Sequence, residues 1–275
     1  MLYGDKLKQH LKTEQNSINK MYLHDLMINW KKVDLAVEEG KDSPISTLIA
    51  AVSNYTKYLA TPKFKYASSR KCGFKEDHDV FKVHYLYDII EKILHEAGIR
   101  EEKKGLYIKN IAFHTGFSLD NGTFKAQTSH PDIELYSSDK YFHVGLEFEI
   151  QYRMASEKHF KRIKNYIPLI VFYVEKYYTE KDFEDIKVLK KDMLSLNPHA
   201  MLICITESVD KRLLSRYSEH EEYLYVARCN FKGDPYKDLQ PQVFLSLYNK
   251  LLNHVNRELY TFDKITPFGH SCLVE

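Results

Sequence analysis

Cysteine is scarce and scattered in this 275-residue chain. Cys72, Cys204, Cys229 and Cys272 form no C-x-x-C pair, which argues against a zinc site and against a disulfide framework. Long apolar runs are missing too. The longest, residues 167–174, falls far short of the ~20 residues a helix needs to cross a bilayer, so no membrane partner is expected. The first residues lead straight into a charged segment without an apolar core, so no secretory signal is expected and the cytoplasm is the expected location. A charge excess is absent as well: the net charge is +2, and nucleic-acid binding would need clustered rather than global charge. Nor is there a G-x-G-x-x-G, a G-x-x-x-x-G-K-[ST], an H-E-x-x-H or a G-x-S-x-G, which leaves dinucleotide, P-loop, zinc-protease and serine-hydrolase chemistry without their usual signatures. No internal repeat or low-complexity segment is visible. What remains is ordinary globular composition, 44% hydrophobic and 28% charged, with length for one large core or two smaller ones.

Helical periodicity fills the first hundred residues. Ile18, Tyr22, Leu26, Trp30, Val33 and Val37 keep helical spacing within a helix expected over 5–38. Ser43-Pro44 starts a second helix, buried through Ile45, Leu48, Ile49, Val52, Tyr55 and Leu59. A basic loop, 63–75, carries Lys63, Lys65, Arg70, Lys71 and Lys75, and is a candidate for phosphate contacts. A third helix is expected over 79–97, with Val83, Leu86, Tyr87, Ile90, Leu94 and Ala97 inward and Gly98 as its stop. Its His84, Asp88, Glu91 and His95 read as surface residues.

The period then changes to two. Residues 106–113 read as a strand, and Asp120-Asn121-Gly122 as a hairpin turn. Asp132 and Glu134 share a face of one strand. Glu147, Glu149 and Gln151 share a face of the next, with Val144, Leu146, Phe148 and Ile150 behind them. Carboxylates gathered in this way repel one another unless something positive lies between them, and a hard divalent cation such as Mg²⁺ is the natural candidate. The simpler alternative is an amphipathic strand with a solvated acidic face. A short basic helix is expected over 156–166, with Lys158, Lys161, Arg162 and Lys164. The unalternating run 167–174 reads as a strand buried on both faces, ending in Glu175-Lys176. A helix follows through Phe183, Ile186, Leu189, Met193 and Leu196. Strands over 201–207 and 222–228 come next, and Pro241 opens a last helix through Phe244, Leu247, Leu251, Val255 and Leu259. The order implies an α/β (α+β) fold with a mixed β-sheet flanked by helices. An N-terminal helical part, 1–100, precedes a core, 101–275, the two forming one compact unit.

His130-Pro131-Asp132, followed by an apolar strand ending in Glu175-Lys176, resembles the PD-(D/E)XK nuclease pattern. Over most of its length the chain resembles, more specifically, the BbvCI-like family of type II restriction endonucleases, (hetero)dimers that cut an asymmetric DNA site. The likeness includes Leu48-Ile49-Ala50-Ala51-Val52-Ser53-Asn54-Tyr55 and Tyr85-Leu86-Tyr87-Asp88-Ile89-Ile90 leading to Ala97-Gly98-Ile99. It continues in Val174-Glu175-Lys176-Tyr177-Tyr178-Thr179-Glu180-Lys181, Asn197-Pro198 and residues 201–207. The resemblance implies a restriction-endonuclease-like fold and Mg²⁺-dependent, sequence-specific hydrolysis of double-stranded DNA in restriction–modification. It implies a homodimer, or a heterodimer with a homologous subunit. The implied site holds Asp132 and a second acid, with Lys176 as the lysine. The family spaces that acid two residues before the lysine, where this chain has Val174. Because neighbouring strand residues face opposite ways, either a bulge re-aims Glu175 or Lys176, or the acid is Glu147 or Glu149. A rival set, Asp132 with Glu147 and Glu149, resembles enzymes with glutamate in place of the lysine, and Glu149-x-Gln151 those with glutamine. Metal ligands are thus expected among Asp132, Glu147 and Glu175. DNA contacts are expected at Arg70, Lys71, Lys158 and Arg162, and in a 208–218 segment at Lys211, Arg212 and Arg216. A non-catalytic DNA-binding subunit of a heterodimeric enzyme is the alternative.

Overall fold

The computed structural model describes residues 2–39, 44–67, 83–99, 106–109, 114–120, 123–128, 141–152, 161–213, 216, 223–231 and 236–265. From 106 to 167 it is the backbone and its register that are described. Contacts divide the chain into two units, Met1–Gly98 with Val226–Asn253, and Ile99–Tyr225 with His254–Glu275.

The first unit is helical: α1 (Leu2–Thr13), α2 (Ser17–Glu39), α3 (Pro44–Leu59), α4 (Pro62–Ala67) and α5 (His84–Glu96). The single helix expected over 5–38 is two. Asn16 breaks it, its Oδ1 accepting the backbone N–H groups of Ile18 at 2.9 Å and Asn19 at 3.2 Å, which satisfies donors that a helix start leaves without partners. Ile18, in that first turn, is exposed rather than inward, while Leu26, Trp30 and Val33 are buried. Trp30 lies 4.6 Å from the Tyr3 ring and 4.9 Å from that of Tyr55. Gly4 allows α1 to approach it, since a Cβ there would stand 2.6 Å from Trp30 Nε1.

The basic segment expected as a loop from Lys63 begins instead as α4, and Lys63 pairs with Asp25 on α2. On α5, Glu91 and His95 are exposed as expected, but His84 and Asp88 are each only 2% exposed. Asp88 Oδ2 accepts the backbone N–H of Tyr3 at 3.1 Å, capping α1 from a neighbouring helix, and His84 Nε2 lies 3.1 Å from Lys6 Nζ. Polar residues on a helix read as outward-facing from sequence; here α1 covers them. Gly98, at φ +83°, ends α5 in the left-handed conformation open to glycine. The last helix, α7 (Pro241–Ile265), buries Phe244, Leu247 and Leu251; the side chains of Val255 and Leu259 lie outside the described residues. Leu239 N–H donates to Ser53 Oγ at 3.1 Å and Tyr236 O–H to the Ser53 carbonyl at 2.9 Å, fastening this returning segment to α3.

The second unit holds β1 (Leu106–Lys109), β2 (His114–Asp120), β3 (Thr123–Thr128), β4 (Tyr141–Tyr152), β5 (Lys161–Tyr178), α6 (Glu180–Leu196) and β6 (Met201–Val209), and opens β7 (Leu224–Phe231). The larger sheet has the order β1-β4-β5-β6-β7. β4 is antiparallel to both β1 and β5, whereas β5 and β6 run parallel across α6. The fold is therefore mixed α/β. Along β5, Leu169 to Val174 are all buried, and Leu202 to Val209 are buried on β6, which is why neither alternates. β2 and β3 form a separate hairpin with Asp120 opposite Thr123, the two-residue connection expected there.

The helix expected over 156–166 does not form over its described part. Residues 161–166 are the first half of β5, paired to β4. Ile163, Asn165 and Ile167 alternate with Arg162, Lys164 and Tyr166, and once β4 supplies a ladder this period of two prevails over helical spacing of the lysines. At the other end of β5, Asp182 accepts the Thr179 backbone N–H at 2.9 Å and the Tyr173 phenol at 2.5 Å, closing a capping box that turns the chain into α6.

Candidate functional site

Two places on β5 can be weighed as sites, and the ladders separate them. At the C-terminal end, Glu175 and Lys176 are both half-buried. The β5–β6 pairing keeps one register from Ile170↔Met201 to Tyr178↔Val209, without a shift. The register shift on β5, where Ile170 and Pro168 pair with Val144 and Gly145, lies well before them, so no bulge re-aims either residue, and neighbours on such a stretch lie on opposite faces. Lys176 Nζ stands 5.5 Å from the centre of the Tyr177 ring, and its carbonyl accepts Thr206 Oγ1 at 3.1 Å. β4 starts at Tyr141 opposite Tyr173, so Glu175 and Lys176 lie past the end of that ladder. Among the described residues, no three His, Cys, Asp or Glu side chains gather closely enough to hold a metal.

The second place is the far half of the β4–β5 ribbon. Glu147 lies opposite Tyr166, Glu149 opposite Lys164, and Gln151 opposite Arg162. Directly opposed positions of an antiparallel pair belong to one face, so two acids, an amide and two bases occupy one face of this ribbon. The other carries Leu146, Phe148, Ile150 and Ile163. Tyr166 and Lys176 are about ten residues apart on β5, on the order of 30 Å of strand at ~3.3 Å per residue. Glu147 and Glu149 therefore do not share a site with Lys176. Asp132 and Glu134 lie outside the described residues.

The donor set on β4 suits a hard divalent cation. Two carboxylates at alternate strand positions are the oxygen ligands that Mg²⁺ takes, leaving room for water and substrate phosphate. On β5, Lys164 is at the position opposite Glu149 and Arg162 at that opposite Gln151. The alternation of residues 161–167 carried the signal for this placement; the cluster of basic residues hid it.

Of the expected DNA contacts, Arg70, Lys71 and Lys158 lie outside the described residues, and Arg162 is on β5 opposite Gln151. Lys211 and Arg212 sit on an exposed 3₁₀ turn after β6. Arg212 binds Asp210 at 2.5–3.2 Å. Arg216 reaches Glu180 at 3.3 Å and Glu184 at 2.5 Å. The hydrogen bond from Arg216 lowers the Glu184 carboxyl below the ordinary carboxylate range, with Lys187 adding to it. A DNA phosphate would have to compete with these acids for Arg212 and Arg216.

No family model matches the chain, and no curated protein matches it. A solved structure does: a chain of the native BbvCI A2B2 tetramer, 12% identical, matches with a TM-score of 0.56 over 91% of this chain and 95% of that one. At that identity the likeness shows a common fold. Among the described residues, no helix is long and apolar enough to cross a membrane.

Proposed function

We propose that this chain is a subunit of a type II restriction endonuclease, hydrolysing phosphodiester bonds of double-stranded DNA with Mg²⁺ in the cytoplasm. The observation that carries the reading is the fold held in common with a BbvCI chain over nearly the whole length of both. The site we assign is Asp132 with Glu147 and Glu149. The acids on β4 are favoured because the unshifted β5–β6 ladder keeps Glu175 and Lys176 on opposite faces.

The reaction takes one water per cut. Its oxygen forms a bond to phosphorus as one ester P–O bond breaks; the departing oxygen takes a proton and the water gives one up, leaving a phosphomonoester and a hydroxyl. Mg²⁺, when bound, supplies a Lewis acid for the phosphoryl oxygens. Asp132, Glu147 and Glu149 would hold it. Their negative charge also requires cations nearby before a phosphate can approach, and residues of β5 supply them. One site cuts one strand, so a double-strand cut needs two, and we propose a homodimer or a heterodimer with a homologous subunit.

The test is digestion of plasmid DNA with Mg²⁺ by the purified chain, alone and with the protein encoded beside it. Cleavage at a defined sequence is expected; plasmid left intact in both would contradict the reading. The absence of an acid two residues before Lys176 favours a second reading, a DNA-binding subunit without its own chemistry. That reading requires Asp132→Ala to leave cleavage by the complex unchanged.

A further inference from the structure

One face of α2 is committed to the interior through Leu23, Leu26, Trp30 and Val33. The opposite face carries Ile18, Met21, Ile28 and Leu35, 46–56% exposed, four of the seven exposed large hydrophobic side chains among the described residues. Seven residues make about 700°, some 20° short of two turns. Met21, Ile28 and Leu35 therefore form one seam about 21 Å long, and Ile18 extends it by a turn. A stripe at that spacing is the seam by which one helix packs along another, and here it faces solvent. We propose that it is a self-association surface, on which α2 of a second copy of this chain packs antiparallel about a two-fold axis through Ile28. The proposal stands on α2 alone and is independent of the endonuclease reading.

The occupant follows from the symmetry of the stripe. Met21 and Leu35 each lie seven residues from Ile28, so a two-fold axis there sets Met21 against Leu35 of the second copy and Ile28 against its own counterpart. Asp25, three residues before Ile28, and Lys32, four after it, share one flank of the seam. The same rotation brings Asp25 opposite Lys32 of the second copy, and Lys32 opposite Asp25; His24 and Lys31 meet on the other flank without an ion pair. Apolar meets apolar and acid meets base under a single rotation, as an isologous contact requires. A parallel pairing would instead set Lys31 beside Lys32 of the other copy on both flanks, and like charges so placed count against it. In the single chain Asp25 holds Lys63, and Lys32 donates to Asn29 at 3.2 Å. Both contacts leave capacity for a further partner, since a carboxylate accepts several donors and an ammonium donates three. The four apolar side chains offer roughly 400 Å² per copy. With the polar flanks the total reaches about 1,200 Å², the lower end of specific interfaces, and a dissociation constant of about 10 μM is expected.

The test is sedimentation equilibrium of the full-length chain by itself, from about 1 to about 200 μM, for wild type, Ile28→Lys and Leu35→Lys. Both positions are about half exposed, so lysine there spares the fold, which thermal unfolding verifies. Wild type is expected to form dimers. Ile28→Lys, which sets two ammonium groups together on the axis, is expected to weaken association on the order of 10²-fold, and Leu35→Lys on the order of tenfold. Oxidative cross-linking then tests the geometry. Ile28→Cys is expected to form a disulfide-linked dimer with itself, above the level of wild type treated alike. Met21→Cys and Leu35→Cys are expected to link when mixed but not alone, since each stands about 21 Å along the axis from its own counterpart. A wild-type chain monomeric throughout, or dimers unmoved by either lysine, overturns the proposal. Ile28→Cys linking no more than wild type overturns it, as does Met21→Cys linking alone as readily, the mark of a parallel pair. Association only with the protein encoded beside this chain would give the stripe a different occupant and also overturns it.

Discussion

Replacing Lys176 by alanine separates the two places on β5 more sharply than any other single change. Tyr166, opposite Glu147, and Lys176 are separated along β5 by on the order of 30 Å. At that range one unit charge acts on another with only about 0.1 kcal/mol in water. At physiological salt, with a Debye length near 8 Å, screening leaves a small fraction of that. An electrostatic contribution of Lys176 to chemistry at Glu147 and Glu149 is therefore below measurement. On the proposed site, removing Glu149 would take away a carboxylate that would hold Mg²⁺, and the loss expected is on the order of 10²–10³-fold, or about 3–4 kcal/mol of transition-state stabilisation. The assay is single-turnover plasmid cleavage at saturating protein and Mg²⁺, with thermal unfolding of each variant to verify folding. Lys176→Ala and Glu175→Ala are expected to cleave within twofold of wild type, and Glu149→Ala to be nearly inactive. Abolition of cleavage in well-folded Lys176→Ala, with Glu149→Ala active, would refute the assignment to β4 and move the chemistry to the end of β5.

Three other outcomes test the fold and its electrostatics. Gly4→Ala adds ~1 kcal/mol of helix propensity, but its Cβ would meet Trp30 atoms at 2.6 and 2.9 Å, and Trp30 is fully buried. Overpacking of ~1–3 kcal/mol wins, so Tm falls, followed by the fluorescence of this one tryptophan; an unchanged or higher Tm would contradict the contact. Asp88→Ala leaves the buried Tyr3 N–H without its acceptor and should cost ~1–3 kcal/mol in urea unfolding, whereas a neutral result would mean α1 is capped otherwise. Arg216→Ala should raise the Glu184 titration midpoint, followed by NMR, because Arg216 is the largest cause of its depression. With its folded pKa depressed, Glu184 contributes stability above the ordinary carboxylate range and loses it as pH falls through the folded value. An unmoved midpoint would show that the pair does not persist in solution.

Much of the fold was legible because periodicity reports burial. The unalternating 167–174 and 201–207 runs gave the two central strands, and Gly98 gave a helix end that the structure keeps. Misreadings occurred where a partner from elsewhere in the chain decides the outcome. His84 and Asp88 read as surface residues, since nothing in α5 itself announces that α1 will cover them. Residues 156–166, with Lys158, Lys161, Arg162 and Lys164, read as a short basic helix because the run of bases masks the alternation of Ile163, Asn165 and Ile167. Only the β4 ladder distinguishes the two. At the site, the acids of β4 were visible from sequence, but their distance from Lys176 was not. That distance is a property of register, which a single strand does not encode.

The most direct measurement is run-off sequencing of plasmid digested with Mg²⁺ by wild-type protein, beside Asp132→Ala and Glu149→Ala, each with the neighbouring-gene protein supplied. The account predicts breaks at one defined sequence in the wild type, with every break made by this chain lost in both variants: one strand's in a heterodimer, both strands' in a homodimer. Wild-type run-offs that read through without a break, or unchanged breaks in both variants, would contradict it.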